Sequence, residues 1–265
     1  MGWVKRRLRA RFGWLPLEEL RNKVLLGHTA VGLHRFERAE AARLLATLPG
    51  GVKPKALVAT VILTYRRPDV LRRAVESVLA QTVTDQVVIV VDDGGGQIPE
   101  LPADPRLHVV SQRRNINVPG VSRNIGIRLA DSQFVAFLDD DNLWHPHHLE
   151  TTLARLQGAD SPRPDAVYTA MRRVTPEGLQ HDVLSVPFDR KLAWERCFLD
   201  PNPLVARRTP ELMFSRLRRN TSVAPKEDWE LIYRLSRRHR VEHIPEPTVD
   251  YVINPKSYWT PWKLT

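Results

Sequence analysis

FVAFLDDDN, Phe134 to Asn142, is the stretch on which the fold turns. Its five opening residues, Phe134 to Leu138, are apolar without a break and read as a strand buried on both faces. They run straight into three adjacent carboxylates, Asp139, Asp140 and Asp141. Such neighbours repel one another unless a cation neutralises them. A buried strand ending in an acidic cluster suits an α/β sheet, whose ligands bind beyond the carboxyl ends of the strands.

Outward from this strand the same alternation recurs. Ala56 to Thr64 (ALVATVILT) and Gln86 to Val91 (QVVIVV) are two more buried strands, and Leu107 to Ser111 is a shorter one. Val70, Leu71, Ala74, Val75 and Val78 predict a helix over Asp69–Leu79, with Pro68 where a helix starts. Val121, Ile125 and Leu129 predict another over 118–130, and Pro146 to Leu156 a third. Strand alternating with helix argues for an α/β fold, a mainly parallel sheet with helices on both faces. The loops after Thr64, Val91 and Leu138 then converge on one cleft. They bring Tyr65-Arg66-Arg67, Asp92-Asp93-Gly94-Gly95-Gly96 and Asp139 to Asp141 together. Hard cations such as Mg²⁺ and Mn²⁺ prefer oxygen ligands, and Mg²⁺ often takes one or two carboxylates plus substrate phosphates. Beyond residue 165 the pattern is fainter: strands over 166–175, 179–186, 201–206 and 248–252, and a helix over 227–238.

The net charge of +10 is unevenly placed: residues 1–55 hold twelve Lys/Arg against four Asp/Glu, and the remainder 28 against 26. A basic helical N-terminal extension, 1–55, is therefore separated from a body of 56–265. Within it, Val4, Leu8, Phe12 and Leu15 predict a first helix ended by Gly13 and Pro16. Leu17, Leu20 and Val24, then Leu44, Leu45 and Leu48, predict two more, with Pro49-Gly50-Gly51 as the boundary. The nearly balanced body offers no broad basic stripe, which argues against nucleic acid as a partner. Residues 1–15, with Trp3, Val4, Leu8, Phe12 and Trp14 among five basic side chains, fit either peripheral contact with an anionic membrane or a cap packed on the body. No segment approaches the roughly 18 consecutive apolar residues of a membrane span. The basic residues from Lys5 to Arg11 also interrupt any signal-peptide h-region. The single cysteine, Cys197, excludes an intramolecular disulfide and suits a reducing compartment. The expectation is a cytoplasmic protein, peripheral on the inner face of the membrane if residues 1–15 bind lipid.

Four segments, in order, resemble glycosyltransferase family 2 of the GT-A fold. VATVILTYRRPDVLRRAVESVLAQT is similar to that family's opening strand and helix, and VVIVVDDGGG to its second strand. VPGVSRNIGIRLADSQFVAFLDDDNLWHPHHLE resembles its central signature, from an Arg-Asn-x-Gly helix to an Asp-x-Asp-type motif. PKEDWELIYRLSR resembles its late Glu-Asp motif. The resemblance spans about residues 56–255. It implies an inverting, metal-dependent transfer of a sugar from a nucleotide-diphosphate sugar, with UDP preferred. The acceptor would be a hydroxyl of a glycan, a lipid-linked sugar or a small metabolite, and the setting cell-wall or polysaccharide biosynthesis. Residues 56–160 would bind the nucleotide sugar and 161–265 the acceptor. Thr64, Tyr65 and Arg67 would lie on the nucleotide side, and Asp92 or preferably Asp93 would bond the uracil or ribose. Arg123 would approach the diphosphate, and Asp139 or Asp140 would contact ribose and sugar. Asp141, with Asp139, would hold the Mn²⁺ or Mg²⁺ ion, and Asp228 would be the general base. Two departures stand out. Gly94-Gly95-Gly96 replaces the usual Gly-Ser-x, and Tyr251-Val252-Ile253-Asn254-Pro255 has no histidine where many relatives carry a metal-binding one. A nucleotidyltransferase is the alternative enzyme class, but it needs a glycine-rich loop after the first strand, and Tyr65-Arg66-Arg67-Pro68 has no glycine. A non-catalytic binding protein of the same fold would have no need of Asp139, Asp141 and Asp228.

Overall fold

The computed structural model describes residue 7 and residues 13–159, 162–220 and 222–253. Among these residues nine strands form one sheet: β1 Lys55–Thr64, β2 Gln86–Asp92, β3 Leu107–Ser111, β4 Asp131–Asp139, β5 Leu143–Trp144, β6 Ala166–Val174, β7 Gln180–Leu184, β8 Leu204–Arg207 and β9 Val241–Val252. Helices are α1 Trp14–Leu45, α2 Pro68–Leu79, α3 Pro119–Leu129, α4 His148–Gln157, α5 Arg190–Glu195 and α6 Glu227–Ser236.

The strand order is β3-β2-β1-β4-β8-β6-β9-β5, with β7 beside β6. β3, β2, β1 and β4 are all parallel, as the βαβ alternation predicts. The later half is mixed. β8 runs antiparallel to both β4 and β6, β6 and β9 are parallel, and β5 runs antiparallel to β9. β6 and β7 are antiparallel because the turn at Thr175–Gly178 is too short for a crossover. In β1 the side chains alternate between two cores. Ala59 and Val61 face α1, α3 and α6, while Val58 and Ile62 face α2 and α4. That alternation is the period of a strand buried on both sides.

The N-terminal segment differs from its three-helix reading. From Trp14 to Leu45 it is one helix of 32 residues. Pro16 does not end it, because in the first turn its missing N–H would have had no partner. The expected helix over Val4, Leu8 and Phe12 lies outside the described residues apart from Arg7, as does most of the proposed membrane contact in 1–15. α1 is fastened to the body by buried acids. Glu37 receives Arg128 Nε at 2.8 Å, Arg216 Nε at 2.7 Å and Asn124 Nδ2 at 2.9 Å. Its start reaches α6, where Trp14 stacks on Trp229 with ring centroids 5.0 Å apart.

α3 lies unusually close to the sheet at Gly126, where an added Cβ would come within 2.5 Å of Val61 Cγ1. Since α3 carries Arg123 to the cleft, this contact sets how far that side chain reaches. Gly126→Ala should cost about 1–3 kcal/mol of stability by overpacking. Urea unfolding checks this, and a loss below about 0.5 kcal/mol would show that the helix can shift freely.

Candidate active site

The parallel strands end in register, Thr64 beside Asp92 and Leu63 beside Asp139. That alignment carries their following loops to one edge of the sheet. A cleft of about 390 Å³ lies there, lined by Thr64, Tyr65, Arg67, Asp93, Arg123, Asp139, Asp140, Asp141 and Asp228 among others. Of the site residues expected from sequence, only Asp92 is missing from the lining. Its carboxylate turns back to accept Gly95 N–H at 2.7 Å and Gly96 N–H at 2.9 Å, and so holds the glycine loop. Gly94 in that loop has φ +73, and a Cβ there would sit 2.4 Å from the Arg114 carbonyl carbon. Only glycine lets the 114–115 backbone pass so close.

The three acids at the end of β4 have different partners. Asp139 accepts Arg123 Nη2 at 2.6 Å and Asn202 Nδ2 at 3.1 Å. Burial pushes its carboxyl up, but the Arg123 charge and hydrogen bond outweigh this and hold it below the ordinary range. Asp140 accepts Thr64 Oγ1 at 2.7 Å and Arg67 Nη1 at 3.1 Å. Burial nonetheless raises it to about 6, helped by the charges of Asp141 and Asp139. Asp141 accepts the same Arg67 Nη1 at 2.7 Å and is raised by burial and by Asp139. Asp93 is raised to about 6, chiefly by burial, although Gln112 Nε2 donates to it at 3.1 Å and Ser122 Oγ at 3.2 Å.

Arg123 joins the two halves of the cleft. Its second arm lies 3.6 Å from Glu227 Oε1, at the N-terminus of α6. Next to Glu227 stands Asp228, raised to about 6 by burial and then by the Glu227 charge. Among the further residues that line the cleft are three titratable ones not expected there from the sequence: Asp200, Glu227 and Tyr251. Asp200 is pushed up to about 7 by burial and by Asp139. Buried Asn202 ties Asp200 to Asp139, since its amide donates to both carboxylates while its oxygen accepts the Asp139 N–H at 2.7 Å. No local pattern marks Asp200 or Asn202, whose roles come from β8 entering beside β4. Tyr251, at the end of β9, occupies the region where the resemblance looked for a histidine. Asn254 and Pro255 lie outside the described residues.

The lining holds seven carboxylates, Asp93, Asp139, Asp140, Asp141, Asp200, Glu227 and Asp228, against two guanidiniums, Arg67 and Arg123. Burial first, and neighbouring acids after it, raise Asp140, Asp141, Asp200 and Asp228. Such an excess of negative charge opposes an anionic ligand unless a cation offsets it, and an all-oxygen donor set suits a hard divalent one. Among the described residues no three His, Cys, Asp or Glu side chains form a ready cation cage. The donor set therefore fits an ion held by one or two carboxylates and completed by phosphate oxygens and water.

Phe198, Phe214, Trp229, Arg208, Arg216 and Arg219 are engaged in structural contacts and do not line the cleft. Phe198 and Phe214 are core residues, and the Trp229 indole N–H donates to the Ala193 carbonyl at 2.7 Å. Arg208, Arg216 and Arg219 bond Ser132, Glu37 and Glu19 in turn. The 217–226 stretch, which by its composition suggests a mobile loop, is fastened by Arg219 to Glu19 at 2.8 Å and to the Pro225 carbonyl at 2.6 Å.

The Glycosyl transferase family 2 model matches residues 60–186. The chain is 40% identical over 99 residues to the succinoglycan biosynthesis protein ExoW of Rhizobium meliloti, a stretch covering 34% of this chain and 31% of that relative. Among solved structures, S. aureus TarS 1–349 in complex with UDP-GlcNAc aligns with TM-score 0.59 at 16% identity, over 78% of this chain and 61% of that one. The mannosyltransferase PcManGT from Pyrobaculum calidifontis, in complex with GDP-Man and Mn²⁺, aligns with TM-score 0.52 at 16% identity, over 88% of this chain and 70% of that one. The chain thus spans about a third of the ExoW relative's length, and the two structures share its fold.

Proposed function

Since the chain is a family 2 glycosyltransferase over residues 60–186, on a GT-A fold, we propose that it moves a sugar from a nucleotide-diphosphate sugar to an acceptor hydroxyl with inversion. One observation carries the reading. The acids ending β4 and Asp228 at the start of α6, far apart in sequence, face one cleft, and Arg123 bridges Asp139 to Glu227, the neighbour of Asp228. The nucleotide lies along Thr64, Tyr65 and Asp93, and its diphosphate lies before Asp139 and Asp141 within reach of Arg67 and Arg123. Asp141, with Asp139, would hold a Mn²⁺ or Mg²⁺ ion, which would supply positive charge against the leaving diphosphate. Arg67, already on Asp140 and Asp141, keeps both acids oriented. Arg123 holds Asp139 in place and keeps α6 next to the donor.

The acceptor hydroxyl approaches the anomeric carbon from the side opposite the diphosphate. Asp228 takes its proton as the new C–O bond forms and the bond to the diphosphate oxygen breaks. One displacement of this kind inverts the anomeric centre. UDP is the nucleotide the family resemblance favours, with dTDP and GDP as alternatives. The acceptor is a glycan, a lipid-linked sugar or a small metabolite. Residues 56–160 are assigned the donor side, and 161–265 the acceptor side.

A thermal-shift panel of UDP-, dTDP- and GDP-sugars, with Mn²⁺, Mg²⁺ or chelator, tests this. A ligand that binds only the folded chain stabilises it by about 2.7 kcal/mol at a hundredfold excess over Kd. At least one nucleotide sugar should raise Tm, and only with metal. Asp141→Ala should abolish the metal-dependent part. No shift with any pair, or a shift that survives both chelator and Asp141→Ala, would refute the reading.

A further inference from the structure

We propose that the outer face of α1 is a docking surface for an anionic phospholipid bilayer. The helix sorts its side chains by sign. Glu19, Glu37 and Glu40 are buried against the body, paired with Arg219 at 2.8 Å, with Arg128 and Arg216 at 2.8 and 2.7 Å, and with Arg113 at 2.7 Å. Glu18 is also largely covered, its side chain 12% exposed. The charges left facing solvent are Arg21, Lys23, Arg35 and Arg38. Arg21 and Lys23 make only loose contacts, at 3.4 Å with Glu18 and 4.0 Å with Glu19. Arg35 and Arg38 have no acidic partner among the described residues.

Between these cations runs an exposed aliphatic stripe. Leu20 is 62% exposed, Val24 75% and Val31 58%. At 3.6 residues per turn these three fall within about 40° of arc, on the side of the helix opposite its buried residues. Leu25, 54% exposed, flanks the stripe. On that flank a second cleft of about 440 Å³ separates α1 from the 114–117 segment. Its lining includes Phe36, Arg114 and Arg218 and no carboxylate, the reverse of the acid-rich active site. Arg114 lies over the Phe36 ring at 5.6 Å, with its charge free of any ion pair among the described residues.

The charge pattern selects the occupant. A second copy of the chain would set cations against cations along the same stripe. A nucleic acid would pair with the arginines but would leave Leu20, Val24 and Val31 in water. An anionic bilayer takes both, with phosphates at the cations and the aliphatic stripe at the boundary of the acyl region. No described helix is long and apolar enough to cross a membrane, so such contact is peripheral.

The test is co-sedimentation of the full chain with vesicles of phosphatidylcholine alone or mixed with phosphatidylglycerol. The chain should pellet with the mixed vesicles and stay in solution with the neutral ones. Val24→Glu/Val31→Glu and Arg35→Glu/Arg38→Glu should each weaken binding about tenfold or more. Because these positions are exposed and none of them lines the acid-rich cleft, Tm and the donor-induced shift should match wild type. Failure to bind mixed vesicles, equal binding to neutral ones, or wild-type binding by both variants would overturn the proposal. So would a dimer, seen by sedimentation equilibrium, that Val24→Glu/Val31→Glu dissociates, since the stripe would then be a subunit interface.

Discussion

Asp228→Asn should lower kcat by about 10²–10⁴-fold, the usual contribution of a positioned general base, while leaving the metal-dependent donor shift intact. The substitution keeps the shape of the side chain and removes only its ability to take the acceptor proton. Burial, then the adjacent Glu227 charge, raises the Asp228 carboxyl from 3.8 to about 6. The base form is therefore lost as pH falls through about 6, and kcat/KM should decline below that value. The same displacement affects stability. The folded chain binds this proton more tightly than the unfolded chain, so ionised Asp228 costs stability above pH 6, and the cost is relieved as pH falls through 6. Asp228→Asn should accordingly raise Tm at pH 7.5, with a gain that shrinks toward pH 5. Turnover within threefold of wild type, or a parallel loss of donor binding, would remove Asp228 from the role of base.

Glu37→Ala should be the most destabilising single change on α1, by about 3 kcal/mol, the lower end of the cost of breaking a buried ion pair. The Glu37 carboxylate is fully buried and takes four hydrogen bonds from three residues: Arg128, Arg216 and Asn124. Its removal leaves two guanidiniums facing each other across a cavity. Their side chains are 33% and 22% exposed, so water can reach them, which keeps the cost at the lower end. Asn124 would keep its reciprocal bonds with the Phe214 backbone, at 3.0 and 2.7 Å, and that contact should limit the damage to α3. Glu37→Gln, which retains shape and one acceptor, should lose less than Glu37→Ala. Equal stability of wild type and Glu37→Ala in urea unfolding would mean that α1 adds nothing to the fold of the body.

How much of this was legible beforehand can be judged residue by residue. The strand at Phe134–Leu138 and the helix over Val70–Val78 were readable because apolar periodicity is a local property of the chain. Asp139, Asp140, Asp141, Thr64, Tyr65, Arg67, Asp93, Arg123 and Asp228 were nominated from strand ends and family-like motifs, and they line one cleft. Asp92 was nominated with Asp93, yet adjacent side chains at a strand end point opposite ways, and only Asp93 lines the cleft. Pro16 was read as a helix breaker because the true start at Trp14 was not apparent, and a proline in the first turn breaks nothing.

The sequence by itself determined the strand and helix alternation from β1 to β4, the parallel first half of the sheet and the acids that end β4. Each follows from residues within a few positions of one another. Only the tertiary structure decided that β8 enters antiparallel beside β4, bringing Asp200 and Asn202 to Asp139, and that α1 turns its acids inward onto Arg128, Arg216, Arg113 and Arg219. Those partners are far apart along the chain, and a charged side chain carries no local sign of which opposite charge it will meet when burial removes it from water.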